Sequence, residues 1–199
     1  MENYLELRRE LLHILTGIII IFMIIFTKYS EFILLILLIL GTILSIISIR
    51  LKVPFINKCL CLFERECNLN FPGKGLLFFV AGSLLSLQFY SQNIALASII
   101  LLTFLDPVSH FIGLNFGKIK TPLNKKKNIE GSIAGIIIGG IFASFFVGPF
   151  VSLFGSLVAC LVELSEIKLK DDKIDDNLLI PLISGLAMTL LFRLLLRLS

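Results

Sequence analysis

Charge is scarce in this chain. Of its 199 residues only 16% are Asp, Glu, Lys or Arg, while 57% are hydrophobic. A soluble domain keeps roughly a quarter of its residues charged. The mean hydropathy of +0.98 leaves an apolar surplus that one buried core does not absorb, so that surplus must face lipid. No polar linker is long enough to separate two cores, and residues 1–199 read as a single integral-membrane domain. A secretory cleavage pattern is also missing. The first apolar run, near Ile14, follows Glu2, Glu6, Arg8, Arg9 and Glu10 and has no small-residue exit, which makes it a retained span. Cys59, Cys61 and Cys67 share one polar segment without a nearby histidine, so reduced thiols are the simpler reading than zinc. There is neither a P-loop nor a kinase glycine loop, since Gly73-Lys74-Gly75 is too short for either.

What is present is a series of apolar runs. A helix crossing about 30 Å of hydrocarbon needs ~20 apolar residues. Residues 11–27, 32–49 and 178–196 each supply one span. Residues 75–105 are uncharged but broken at Ser91-Gln92-Asn93, and residues 131–162 are split at Gly148-Pro149. Backbone polar groups in lipid must be satisfied within the segment, and no alternation suggests a barrel. The expectation is an all-α, polytopic transmembrane helical bundle of about seven spans. Fifteen of the eighteen basic residues then fall on one side, leaving Lys28, Arg193 and Arg197 on the other. By the positive-inside rule the N-terminus and the large loops are cytoplasmic. The net charge of +4 does not point to nucleic acid, because in a membrane protein the distribution of charge matters more than its sum.

The polar residues gather on that basic side. Asp106 ends an apolar stretch and precedes Pro107, which reads as N-cap and first position of a new helix. Ser109, His110, Gly113 and Gly117 follow on one helical face, where the glycines admit either a neighbouring backbone or a phosphate. The segment 118–135 carries five lysines before Glu130 and Gly131 open a small-residue helix, an arrangement that suits an anion. Glu163 ends the sixth span. Asp175-Asp176-Asn177 opens the seventh, with Asp176 or Asn177 as its cap and Pro181 near its first turn. At the start of the chain Arg9, His13 and Gly17 are one turn apart. Carboxylates, lysines and glycines at one membrane face suit nucleotide-dependent phosphoryl transfer, which is mostly positioning and charge neutralisation.

Four segments in order resemble the polyprenol kinase family, which includes dolichol kinase, phytol kinase and the CTP-dependent diacylglycerol kinase. They are RRELLHILTG, LDPVSHFIGLNFGKIK, KKNIEGSIAG and VELSEIKLKDDKIDDNLLIPL, and they extend over nearly the whole chain. Ser109 stands where the family usually has alanine, and Asn128 where it has serine or threonine. The resemblance implies CTP as phosphoryl donor, Mg2+ or another divalent cation, and a membrane lipid alcohol as acceptor, with the active site on the cytoplasmic face. It implies catalytic roles for Asp106, Glu130 and Asp176. It implies nucleotide or phosphate contacts by Arg9, His13, Gly113, Gly117, Lys118, Lys120 and Lys127, and by Gly131, Ser132 and Asn177. The cation would fall to Asp106, Glu130, Glu163, Asp175 and Asp176, with Asp106 alternatively taking the hydroxyl proton. An isoprenoid alcohol is the favoured acceptor. Diacylglycerol, CDP-lipid formation by a cytidylyltransferase and transport of an anionic solute are the alternatives.

Overall fold

The computed structural model describes residues 2–51, 71–165, 167–169 and 172–198. Within these it contains seven helices. They are α1 (Glu2–Phe26), α2 (Ser30–Leu51), α3 (Lys74–Phe89), α4 (Gln92–Phe116), α5 (Ile129–Val147), α6 (Pro149–Leu164) and α7 (Asp176–Leu198). A two-residue antiparallel pair, Lys168–Leu169 with Asp172–Lys173, joins α6 to α7. The segment with Cys59, Cys61, Cys67, Lys52, Lys58 and Arg65 lies outside the described residues, as does Lys170.

Five helices (α1, α2, α4, α5 and α7) are long and apolar enough to cross a membrane. The other two, α3 and α6, have 16 residues each and reach only ~24 Å at 1.5 Å per residue. Both predicted breaks occur where expected. Ser91 lies just before α4, and Gly148 joins α5 to α6 with a positive φ (79°), Pro149 opening the next helix. A positive φ is open to glycine without a side-chain clash, and proline has no N–H to leave unpaired at a helix start.

The layers follow from burial. α4 is the axis of the bundle, packed by α1, α5, α6 and α7. On α2, by contrast, Leu37, Leu40, Ile43 and Leu44 face outward. Each such side chain is worth ~1.5–3 kcal/mol when removed from water, so this face needs an apolar surrounding. α5 meets α4 along Gly131, Gly135 and Gly139, one turn apart. A Cβ at Gly131 would overlap the Ser109 carbonyl oxygen, and one at Gly135 would stand 2.7 Å from that of Leu105. Small residues at this spacing let two backbones touch.

Two expectations need correction. Asp106 and Pro107 do not open a new helix: α4 runs unbroken through Pro107 to Phe116. Proline there leaves the Thr103 carbonyl without its helical donor, at about 3 kcal/mol. The preceding segment is buried from Ile94 to Leu102, and that packing holds the helix together. Asp106 is therefore ten residues, or ~15 Å, from the helix end, well inside the span. At α7 it is Asp175, not Asp176 or Asn177, that acts as cap. Its Oδ1 accepts the Asn177 N–H at 3.1 Å and its carbonyl accepts that of Leu178 at 3.1 Å.

Candidate active site

A carboxylate inside a span needs a counter-charge, and the loop 117–128 brings one. This loop folds back as a hairpin. Lys120 and Asn128 form an antiparallel bridge, the Thr121 N–H donates to the Lys127 carbonyl at 3.0 Å, and the Ile129 N–H donates to that of Ile119 at 2.9 Å. Inside the turn, Thr121 Oγ1 donates to the Asn124 carbonyl at 2.6 Å, and Asn124 Oδ1 accepts the Lys126 N–H. The hairpin sorts its lysines. Lys118, Lys120, Lys125 and Lys126 are exposed, while Lys127 is turned inward.

Lys127 Nζ lies 2.6 Å from Glu163 Oε1 on α6 and 3.8 Å from Asp106 Oδ1 on α4. The Glu163 side chain has no exposed surface. Ser109 Oγ donates to the same Oε1 at 2.8 Å, while Oε2 is buried with no hydrogen-bond partner. Burial disfavours the charged ammonium of Lys127, but the Asp106 and Glu163 carboxylates outweigh it and hold its pKa above the ordinary lysine value. Asp176 adds to the same field from the start of α7. Burial also pushes the Asp175 carboxyl up, against the Asn177 N–H that it accepts.

The remaining predicted residues have protein partners of their own. His13 Nε2 meets the Leu102 carbonyl at 2.9 Å, and its ring stands edge-on to Phe79 at 4.8 Å. His13 is still close enough to Asp106 to act on it electrostatically. Arg9 is paired with Glu6. Glu130 accepts the N–H groups of Lys118 and Ile119 at 3.0 and 3.1 Å, so its carboxylate clamps the hairpin's entry. Gly113 and Gly117 face Asn128, whose Nδ2 bonds the Gly113 carbonyl and whose buried Oδ1 has no partner. Gly131 is filled by the backbone of α4. Ser132 Oγ donates to the Asn128 carbonyl at 3.3 Å. Asn177 Nδ2 donates to the Gly75 carbonyl at 3.2 Å, tying α7 to α3. Asp106, Lys127 and Glu163 are thus brought together, Asp176 acts on Lys127 only as a nearby charge, and the glycines face protein backbone and side chains.

One pairing escaped the sequence reading. Glu10 on α1 bonds His110 Nδ1 on α4 at 2.9 Å, and with Glu6 their ligand atoms lie within 4.8 Å of one another. The local signal was the run Glu6, Glu10, His13, Gly17 on one face of α1. Arg9 already balances Glu6, so this group requires no cation.

Comparison of the chain with known protein families, with curated protein sequences and with solved structures finds no match in any of the three. The chemistry of the site therefore rests on its geometry and on the four segments described above.

Proposed function

We propose that the chain is a seven-span integral membrane kinase that transfers the γ-phosphate of CTP to a lipid alcohol at the cytoplasmic interface. The observation that carries this reading is the inward-turned Lys127, held between the buried Glu163 and Asp106 at the lysine-rich end of the bundle. Ionisable groups within a span are costly and by default mark a functional site, and here carboxylates on α4 and α6 meet one lysine from the loop. The two carboxylates also suit a hard divalent cation, since one Glu163 oxygen is bare. Such a cation, when bound, would neutralise the phosphate oxygens.

In this reading Asp106 and Glu163 would hold the cation, and Lys127 turns to a phosphate oxygen of the donor. The acceptor oxygen forms a bond to the γ-phosphorus, the bond to the β–γ bridging oxygen breaks and CDP leaves. Asp176 takes the hydroxyl proton. Glu130 serves by clamping the loop that carries Lys127, and Asp175 by capping α7 beside Asp176. The acceptor is an isoprenoid alcohol: a bundle this small has room for one narrow chain more readily than for two.

The test is incubation of the purified protein in detergent with Mg2+ and CTP labelled in the γ-phosphate or in the cytidine, against geranylgeraniol, dolichol and diacylglycerol. Label from the γ-phosphate alone should appear in the isoprenoid lipid. Cytidine label in lipid would instead identify a cytidylyltransferase, and a preference for diacylglycerol would change the acceptor. No transfer to any alcohol from CTP or ATP would end the kinase reading.

A further inference from the structure

The turn of the hairpin 117–128 is inside out for a loop in water. Its polar residues Thr121 and Asn124 are buried, and Thr121 Oγ1 donates to the Asn124 carbonyl at 2.6 Å. The apolar residues around them point the other way. Leu123 is 63% exposed, Ile119 is 60% exposed, and Pro122 is exposed beside them. A turn surrounded by water gains by the opposite order. Charge is as one-sided as polarity. Residues 117–128 contain five lysines and no acidic residue, and Lys118, Lys120 and Lys125 are exposed on either side of Ile119 and Leu123 in the sequence. The next acid along the chain, Glu130, is turned to the N–H groups of Lys118 and Ile119. The hairpin also folds back toward the bundle. Asn128 Nδ2 donates to the Gly113 carbonyl and Gly131 lies against that of Ser109, so the return arm runs beside the last turns of α4, not beyond them. On those turns Phe111, Leu114 and Phe116 are exposed and need an apolar surrounding at the same level.

Lysines interleaved with exposed aliphatic side chains, and no acid among them, fit the boundary of a bilayer, where acyl chains meet phosphate groups. We propose that the hairpin 117–128 is a membrane-resting surface for anionic lipids. Ile119 and Leu123 enter the acyl-chain boundary, and Lys118, Lys120 and Lys125 hold the headgroup phosphates. The buried Thr121 and Asn124 fix the turn so that both kinds of side chain are presented together. This gives Lys118 and Lys120 a different partner from the nucleotide that the resemblance implies for them. It does not depend on the kinase reading, because Asp106 and Glu163 take no part in it.

The chain contains no tryptophan, so Leu123→Trp installs a single fluorescent reporter at the tip. The full-length variant is placed in bilayer discs of phosphatidylcholine mixed with phosphatidylglycerol, and one of the two lipids carries bromine on its acyl chains close to the headgroup. Bromine in either lipid should quench the emission. At equal lipid fractions, brominated phosphatidylglycerol should quench severalfold more than brominated phosphatidylcholine. Adding Lys120→Gln and Lys125→Gln should lower that preference by about twofold or more, since each lysine near the surface contributes to the attraction. Emission that neither lipid quenches puts the tip in water and overturns the proposal. Equal quenching by the two lipids, or a preference that survives loss of both lysines, overturns it as well. Unquenched emission that shifts with protein concentration would make the tip a contact between copies of the chain and overturn it too. Should Leu123→Trp not fold, Ile119→Trp gives the same readout from the outgoing arm.

Discussion

At the end of the bundle where α1 turns into α2, Glu31 accepts a hydrogen bond from Gln88 at 2.6 Å, and Lys28 stands exposed at the rim of an open hollow of about 520 Å3. At the opposite end Glu163 is fully buried, and Lys127 reaches it across 36 positions of sequence. The residue types are the same. At the first end water can solvate whatever the protein leaves unpaired, and an exposed pair is worth little. At the second, the hairpin 117–128 and the short α6 enclose the charges, and an unmatched oxygen is costly. The contrast shows that position in the bundle, more than residue type, makes a charged group consequential.

That contrast can be broken most severely at Asp106. Asp106→Asn keeps the shape of the side chain within α4 and removes the charge facing Lys127. Lipid-alcohol phosphorylation should fall by about two orders of magnitude, ~2.7 kcal/mol, with the protein still folded by circular dichroism. Full activity in a folded variant would detach Asp106 from the chemistry.

Next is the packing that holds the charged end closed. Gly131→Val would drive a side chain into the Ser109 carbonyl and separate α5 from α4. Overpacking of this kind typically destabilises by 1–3 kcal/mol, to be read from thermal or detergent unfolding. The Lys127–Glu163 pair should loosen with it, so phosphorylation should fall even where the fold survives. Unchanged stability would show that the glycine contact is not what closes this end.

A smaller effect is expected at the start of α7. Asp175→Ala removes the acceptor of the Asn177 N–H and should cost about 1 kcal/mol in the same unfolding measurement. Asp176→Ala should leave this cap intact and affect phosphorylation instead. Equal stability losses would return the cap to Asp176.

The smallest effect sharpens the comparison from the other side. Lys28→Gln, at the exposed end, should change stability by no more than ~0.5 kcal/mol and leave phosphorylation as it was. A large loss there would mean that the hollow beside α1 and α2 takes part in function.

Much of the architecture was written locally. Apolar runs of span length became α1, α2, α4, α5 and α7, and Gly148-Pro149 became a helix junction. Each follows from hydropathy or from the conformational limits of one or two residues, which a sequence displays directly. Pro107 misled for the same reason. Read locally it starts a helix, yet burial of the preceding turns carries α4 through it. The residue order likewise put five lysines at one end, and the resemblance singled out Lys118, Lys120 and Lys127, but neither said which one turns inward. Only the tertiary structure decided that. The Lys127–Glu163 and Ser109–Glu163 contacts join residues 36 and 54 positions apart, and the hairpin bridge leaves Lys120 outside. Contacts between distant residues depend on how helices pack and where a loop folds back, and no periodicity within a single segment records either.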